Sequence, residues 1–315
     1  MNRLPKLIKY KNGNRIIDIN PYTGTKRRWI EENDNSSYNP ERPENIDLNL
    51  SYYCENNCPY CYLNASKDGQ RFETISEVIS ALESVFQGQK YPGLEIAMNL
   101  NSKKDLKVVS AAAVWLEKNQ MVPNFTIKFN TLISMSPAEI KALNAYWLGV
   151  SVINSKQIIE AESFFRKAEN LNEISINRVY HIINGIFEDL HMLKKVKRAK
   201  FLFLGYKDIG RGKSYNQKSE VNLFDFSIIE DISKKNRISF DNLMTKQTLS
   251  ESDLIDKYKK RYLGEDGDHS FYIDLVKGNF SVSSTQLYES RSIENKDLIQ
   301  MFNEVKKIKG GKTYE

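Results

Sequence analysis

Scarcity in this chain is informative, because each shortage removes a class of protein. Cysteine occurs three times in 315 residues, at Cys54, Cys58 and Cys61. No further thiol exists to hold a second Cys-bound cluster or to supply the second ligand pair that a structural zinc site usually takes. Histidine also occurs three times, at His181, His191 and His269, each solitary and distant from the thiols in sequence. No apolar run approaches the ~20 residues that a membrane span requires, and the opening MNRLPKLIKYKNGNR lacks the apolar core of a signal peptide. The expected location is therefore the cytoplasm, a reducing compartment that suits three free thiols. There is no arginine-rich run interleaved with aromatics, so nothing reads as nucleic-acid recognition. The basic cluster Lys194, Lys195, Lys197, Arg198 and Lys200 fits a solvated helix end whose cations favour the C-terminal dipole.

What is present is a globular composition, 40% hydrophobic and 27% charged with a net charge of +6. The length suffices for one large α/β domain with extensions and a full core. The three cysteines fall within one stretch, LSYYCENNCPYCYL from Leu50 to Leu63, in a C-x3-C-x2-C spacing. Three soft ligands on one short loop suit a metal centre. Zinc wants four closed ligands, whereas three thiolates on a four-iron cluster leave one iron free for a small molecule. A closed zinc or electron-transfer site stands as the alternative.

Periodicity gives the frame. Leu4 to Arg28 reads as a short hairpin with turns at Asn12-Gly13-Asn14 and Thr23-Gly24, and Trp29 to Glu44 as an irregular lead-in. Ile46 to Tyr53 alternates apolar and polar positions and runs into the cysteine loop, after which Thr74 or Ser76 can cap a helix carrying Val78, Ile79, Leu82, Val85 and Phe86. Further strands are expected at Leu94–Leu100, Phe125–Ile133, Trp147–Ile153, Ile174–Ile183 and Lys200–Leu204. Helices are expected at Asp105–Lys118, Pro137–Ala145, Gln157–Leu171 and Ile186–Val196. Strands alternating with helices argue a parallel sheet with helices outside. Beyond Gly212 the expected elements are helices at Asn222–Lys235 and Asp253–Tyr262, a strand at Ile238–Asn242, a hairpin around Lys277-Gly278 and a basic helix at Lys296–Lys309.

The run Cys54-Glu-Asn-Asn-Cys58-Pro-Tyr60-Cys61 at a strand end resembles the radical S-adenosylmethionine (radical SAM) signature. The tail, from Ile238-Ser-Phe-Asp-Asn-Leu243 through Phe271-Tyr-Ile-Asp-Leu-Val276, is similar to that of small, mostly uncharacterised radical SAM proteins, some from mobile elements. The resemblance implies a partial (β/α)6 TIM-like barrel over residues 43–212. Before it stands the N-terminal hairpin and lead-in (1–42), and after it an α+β extension (213–315) that serves as a substrate-binding or lid region. It implies a [4Fe-4S] cluster on Cys54, Cys58 and Cys61, S-adenosyl-L-methionine (SAM) on the open iron, and Tyr60 beside the adenine.

The remaining site residues are those that follow the strands, where a parallel barrel gathers its ligands. Met98-Asn99-Leu100-Asn101 stands where the family has a glycine-rich segment whose carbonyls hold the SAM amino group. Asn101 either holds the ligand by its amide or caps the helix starting near Lys104. Ser151 and Asn154 stand at the family's ribose position or act as turn residues. Gly185, in Ile183-Asn184-Gly185, resembles the glycine that lets backbone approach adenine, and Gly205 and Tyr206 lie in a glycine-punctuated loop that closes over adenine or substrate. The implied activity is reductive cleavage of SAM, fed by an external one-electron donor of flavodoxin or ferredoxin type, with hydrogen abstraction from a substrate that family analogy makes a peptide. The rival is a non-catalytic regulatory or interaction protein that binds the cluster or SAM. No catalytic side chain beyond the cluster ligands is identifiable, because hydrogen abstraction needs no protein base.

Overall fold

The computed structural model describes residues 3–30, 36–172, 177–219, 224, 226–248 and 265–310. At the N-terminus β1 (Ile8–Asn12), β2 (Arg15–Asn20) and β3 (Thr25–Ile30) pair antiparallel into a three-stranded meander. The expected hairpin thus gains a third strand, because Trp29 and Ile30 pair with Ile16 and Arg15 rather than starting an irregular lead-in.

The main unit begins with β4 (Asn45–Asn49), the cysteine loop and α1 (Ile75–Phe86). Thr74, not Ser76, caps α1, and Glu77 closes a capping box with it, an arrangement worth ~1 kcal/mol. Then come β5 (Glu95–Leu100), α2 (Leu106–Lys118), β6 (Val122–Lys128), α3 (Phe129–Ile133), α4 (Pro137–Ala142), β7 (Trp147–Val152) and α5 (Ser155–Asn172). These lead to β8 (Arg178–Ile183), β9 (Lys200–Leu204), α6 (Arg211–Ser219), α7 (Phe226–Ser233), β10 (Arg237–Phe240) and α8 (Asn242–Thr248). The chain closes with β11 (Ser270–Asp274), β12 (Asn279–Ser281), β13 (Arg291–Ser292) and α9 (Leu298–Gly310).

Among the described residues the second sheet has ten strands in the order β10-β9-β8-β7-β6-β5-β4-β11-β12-β13. The run from β10 to β11 is parallel throughout, and β12 and β13 add antiparallel at one edge. The stretch Phe125–Ile133 is not one strand: β6 ends at Lys128, and Phe129 to Ile133 forms a helix that buries Phe129 and Leu132 one turn apart. A short apolar run alone does not distinguish these alternatives. Ile186–Val196 is likewise not an α-helix but a turn followed by a 3-10 segment at Leu190–Lys195. The fifth expected strand begins at Arg178, and the helix expected at Asp253–Tyr262 lies outside the described residues.

The parallel strands are uniformly apolar on one face; the other face is mixed, polar along β4–β7 but carrying Val179, Ile183, Leu202 and Leu204 on β8 and β9. Ile46, Leu48, Phe125, Ile127, Phe201 and Phe203 are buried against the helix layer, while the alternate positions carry Asp47, Asn49, Asn124, Lys128, Ser151 and His181. Parallel sheets are normally apolar on both faces because helices cover both. Here the second face is polar over its central strands, and the sheet curls around it. The ammonium of Lys207, just beyond β9, donates to Ser284 Oγ, just beyond β12, at 2.7 Å. In a flat sheet those strands would stand seven spacings, or about 34 Å, apart.

The meander packs at the end where the parallel strands begin: Leu4, Ile8 and Ile19 share a core with Val122 and Tyr146, and Trp147 Nε1 donates to Pro21 O at 3.0 Å. The same end holds a buried ion network. Glu44 receives Arg28 Nε at 2.9 Å and Tyr38 Oη at 2.7 Å, and Lys26 reaches Glu95 at 2.6 Å and Glu44 at 3.6 Å. Burial opposes the charge on Glu44, yet Lys26 and Arg28 prevail and hold its carboxyl below the usual range. Its contribution is therefore present above the ordinary glutamate value of about 4.3 and is lost as pH falls through the lower folded value. Glu44→Gln should cost ~1.5–3 kcal/mol at pH 7, since Arg28 and Tyr38 lose a charged acceptor while Lys26 keeps Glu95. Urea unfolding at pH 7 and pH 3 checks this, the gap between wild type and variant narrowing in acid.

Candidate functional site

The cysteine loop leaves the C-terminal end of β4, opposite to the end covered by the meander. It folds back on its own continuation: Tyr52 N donates to Gln70 O at 2.7 Å and Cys54 N to Ser66 O at 2.8 Å. Gly69 permits this close return, since a Cβ there would lie 1.9 Å from Tyr52 O. Cys54 is buried and Cys58 and Cys61 are partly exposed. Asn56 Nδ2 sits 3.6 Å from the Cys54 thiol and donates to Asn101 O at 3.2 Å.

Arg211 at the start of α6 fixes the other side of the loop. Its Nε donates to Cys58 O at 3.1 Å, its Nη2 to Ala65 O at 2.9 Å, and its backbone N to Cys61 O at 3.1 Å. The preceding Gly210 has φ +56°, and a Cβ on it would meet Tyr62 O at 2.4 Å, so the segment after β9 and the cysteine loop touch backbone to backbone. Two lysines from the inner face stack on the loop's tyrosines: Lys128 lies 5.1 Å over Tyr60, and Lys207 3.9 Å over Tyr62. Burial, then the neighbouring Cys58, pushes the Tyr60 hydroxyl up.

The other expected residues divide by where their side chains go. Asn101 donates to Ser51 O at 3.0 Å and so joins the loop; the cap of the following 3-10 turn is Ser102, not Asn101. Asn99 and Ser151 lie on the inner face, Ser151 in register with Lys128 on one side and His181 on the other. Met98 packs into the helix-side core at 1% exposure, so only its backbone can serve a site on the inner face. Asn154 is engaged elsewhere, accepting Gln157 N at 3.1 Å at the start of α5 and donating to Glu188 at 3.0 Å. Gly185 turns the chain after β8 with φ +72°. The Gly205 amide donates to Asp241 at 2.9 Å, and the buried Tyr206 hydroxyl donates to Gly212 O at 2.6 Å, pinning its loop.

Sequence reading missed four inner-face groups: Asp47, Lys128, His181 and Lys207. For the first three the signal existed as polar residues at alternate positions of apolar strands. Burial pushes the Asp47 carboxyl up to about 6, with Lys207 opposing and Asp266 and Asp241 reinforcing the shift. Burial lowers His181 to about 4, aided by Lys128 and Lys207, so its ring is neutral at pH 7. Among the described residues no group of three or more His, Cys, Asp or Glu converges on a single metal ion, and no helix is long and apolar enough to cross a membrane.

No family model matches the sequence, and no curated protein matches it. Among solved structures the chain is similar to Streptococcus suis SuiB bound to S-adenosylmethionine, with a TM-score of 0.53 and 11% identity over 96% of this chain and 88% of that one. At that identity the likeness is one of fold: mixed α/β, with a large parallel sheet and helices. Citrate synthase SbnG and a variant of it align at TM-scores of 0.35 and 0.33, with 10% and 8% identity, over 74% of this chain and 86% and 87% of theirs; these values carry no argument.

The His181 ring is accommodated by a missing side chain. A Cβ on Gly149 would lie 2.4 Å from both Cε1 and Nε2 of His181, which accounts for a glycine in the middle of β7. Gly149→Ala should therefore cost ~1–3 kcal/mol through overpacking, and the same change in a His181→Ala background should cost under ~0.5 kcal/mol. A denaturant double-mutant cycle measures that coupling.

Proposed function

We propose that this chain is a radical SAM enzyme, with residues 43–212 forming a partial (β/α)6 barrel and residues 213–315 extending it toward the substrate. The observation that carries the reading is the set of three thiolates on one backbone-clamped loop at the C-terminal ends of the parallel strands, above a polar inner face. The donor set fits a four-iron cluster: in such a cluster each thiolate takes a different iron, so the sulfurs need not converge on one point, and three of them leave one iron open. The likeness of fold to SuiB bound to S-adenosylmethionine supports SAM as the occupant. When bound, the cluster and SAM would supply an electron and a carbon-centred radical that abstracts hydrogen from substrate.

The chain's own part is positioning. Cys54, Cys58 and Cys61 hold the cluster, and Arg211 keeps their loop from spreading by tying Cys58 O to Ala65 O. Tyr60, with Gly185, Gly205 and Tyr206 on neighbouring loops, borders the adenine; Asn99, Asn101 and the backbone of Met98 face the methionine end, and Ser151 the ribose. Of the expected residues, Asn154 fits this set least, since its amide is used at α5. The electron donor is an external flavodoxin or ferredoxin, the substrate a peptide by family analogy, and the compartment the cytoplasm. One observation favours the second reading, a non-catalytic binder of cluster or SAM. Asn101 O already accepts Asn56 Nδ2 at 3.2 Å and Thr131 Oγ1 at 3.3 Å, so this carbonyl has no lone pair left for the SAM ammonium.

Anaerobic reconstitution should give four irons and four sulfides per chain, and Cys58→Ala should lose most of both. Full iron in that variant, or one zinc per chain, would sink the proposal. A second assay separates enzyme from binder: reduced protein with SAM should release methionine and 5′-deoxyadenosine in equal amounts, slowly without substrate. Liquid chromatography gives the ratio, and absence of both products from cluster-loaded, SAM-bound protein would favour the binder.

A further inference from the structure

Acceptors outnumber donors on one part of the inner face. Asp47 projects from the middle of β4 into the concavity, since Ile46 and Leu48 on either side of it pack toward the helices. Its side chain is open to the concavity, yet the surrounding wall is close enough on all sides to desolvate it, and among the described residues it has no hydrogen bond or ion pair. The cation that acts on its carboxyl is Lys207, whose ammonium already bonds Ser284 Oγ and stacks on Tyr62. Asp241 is occupied by the amides of Gly205 and Met244, and Asp266 by Asn242 Nδ2; both add negative charge without offering Asp47 a partner.

An independent observation comes from Asn49, two residues further along the same face and fully buried. Its Nδ2 donates to Asp274 Oδ1 at 3.4 Å, and because a carboxylate only accepts, this fixes which end of the amide faces β11. The Oδ1 is therefore turned away from β11 and has no partner. Asn124 on β6 also leaves a buried Oδ1 unpartnered, and only Ala97 stands between it and Asp47 in that row of the sheet. An unmatched buried acceptor costs ~1–3 kcal/mol, a cost that a ligand with N–H donors would offset.

We propose that this region is a binding subsite for a cationic nitrogen of the substrate, an ammonium or guanidinium group, anchored by the Asp47 carboxylate with the Asn49 amide oxygen as second acceptor. The inference deepens the enzyme reading above and rests on it for the word substrate. Asp47 lies on the strand that runs directly into Cys54, so a ligand held there by its cation extends along β4 toward the cysteine loop.

The test uses the full chain at pH 7.5 with three probes: N-acetyl-arginine methylamide, N-acetyl-lysine methylamide and the neutral N-acetyl-norleucine methylamide. Titration followed by saturation-transfer NMR should give at least one cationic probe about tenfold tighter binding than the neutral one, the size expected of one charge-assisted contact. Asp47→Asn should abolish the preference and Asn49→Leu should reduce it. Equal binding of the three probes to wild type overturns the proposal whether or not a variant folds, as does a preference unchanged in folded Asp47→Asn. Iron analysis of the same wild-type samples keeps the two claims apart. Cation preference in protein that takes up no cluster overturns the enzyme reading alone, and cluster-loaded protein without the preference overturns the subsite alone.

Discussion

The structure depends on one sheet with two unlike faces: helices cover the apolar face, and no second helix layer covers the other, which is polar along β4–β7. The helices take the outer, apolar face, and the other face lines the concavity. β4 sits between β5 and β11 in that sheet, carrying Ile46 and Leu48 outward and Asp47 and Asn49 inward before delivering the chain to Cys54. A single strand thus contributes to the core, to the inner wall and to the thiol loop.

The two ends of the parallel strands are built differently. At the starting end, β1–β3 and a buried ion network of Lys26, Arg28, Glu44 and Glu95 close the structure with apolar packing and paired charge. At the other end the contacts are backbone-to-backbone approaches that glycine makes possible, at Gly69 and Gly210. The meander's packing and the paired charges thus lie at the end away from the cysteine loop.

Much of this arrangement was legible in the sequence. The cysteine spacing located the loop, the alternation through Ile46, Leu48 and Leu50 located its strand, and the 3.6-residue pattern of Val78, Leu82, Val85 and Phe86 located α1, with the choice between Thr74 and Ser76 as its cap left to the structure. What escaped was long-range. Nothing local announces that β10 and β11, on either side of residues 249–264, join opposite edges of the strand set that precedes them. Periodicity also reads burial but not sidedness: Met98 and Asn99 are adjacent in the expected site segment, yet one packs into the core and the other faces the concavity. Arg211 was invisible for a third reason, since its value lies in reaching carbonyls of Cys58 and Ala65 more than 140 positions away.

The meeting of the two sheet edges has a mechanical consequence. Among the described residues no backbone ladder joins β10 to β13; the edges communicate through side chains, Lys207 with Ser284, Asn242 with Asp266 and Lys246 with Glu265. A closed ring of strands has a girth set by its shear and strand number. Where the edges are held by side chains alone, the spacing between them is set by those few contacts and not by a backbone register, so substitutions at Lys207, Asn242 or Lys246 change the spacing without touching any strand pair.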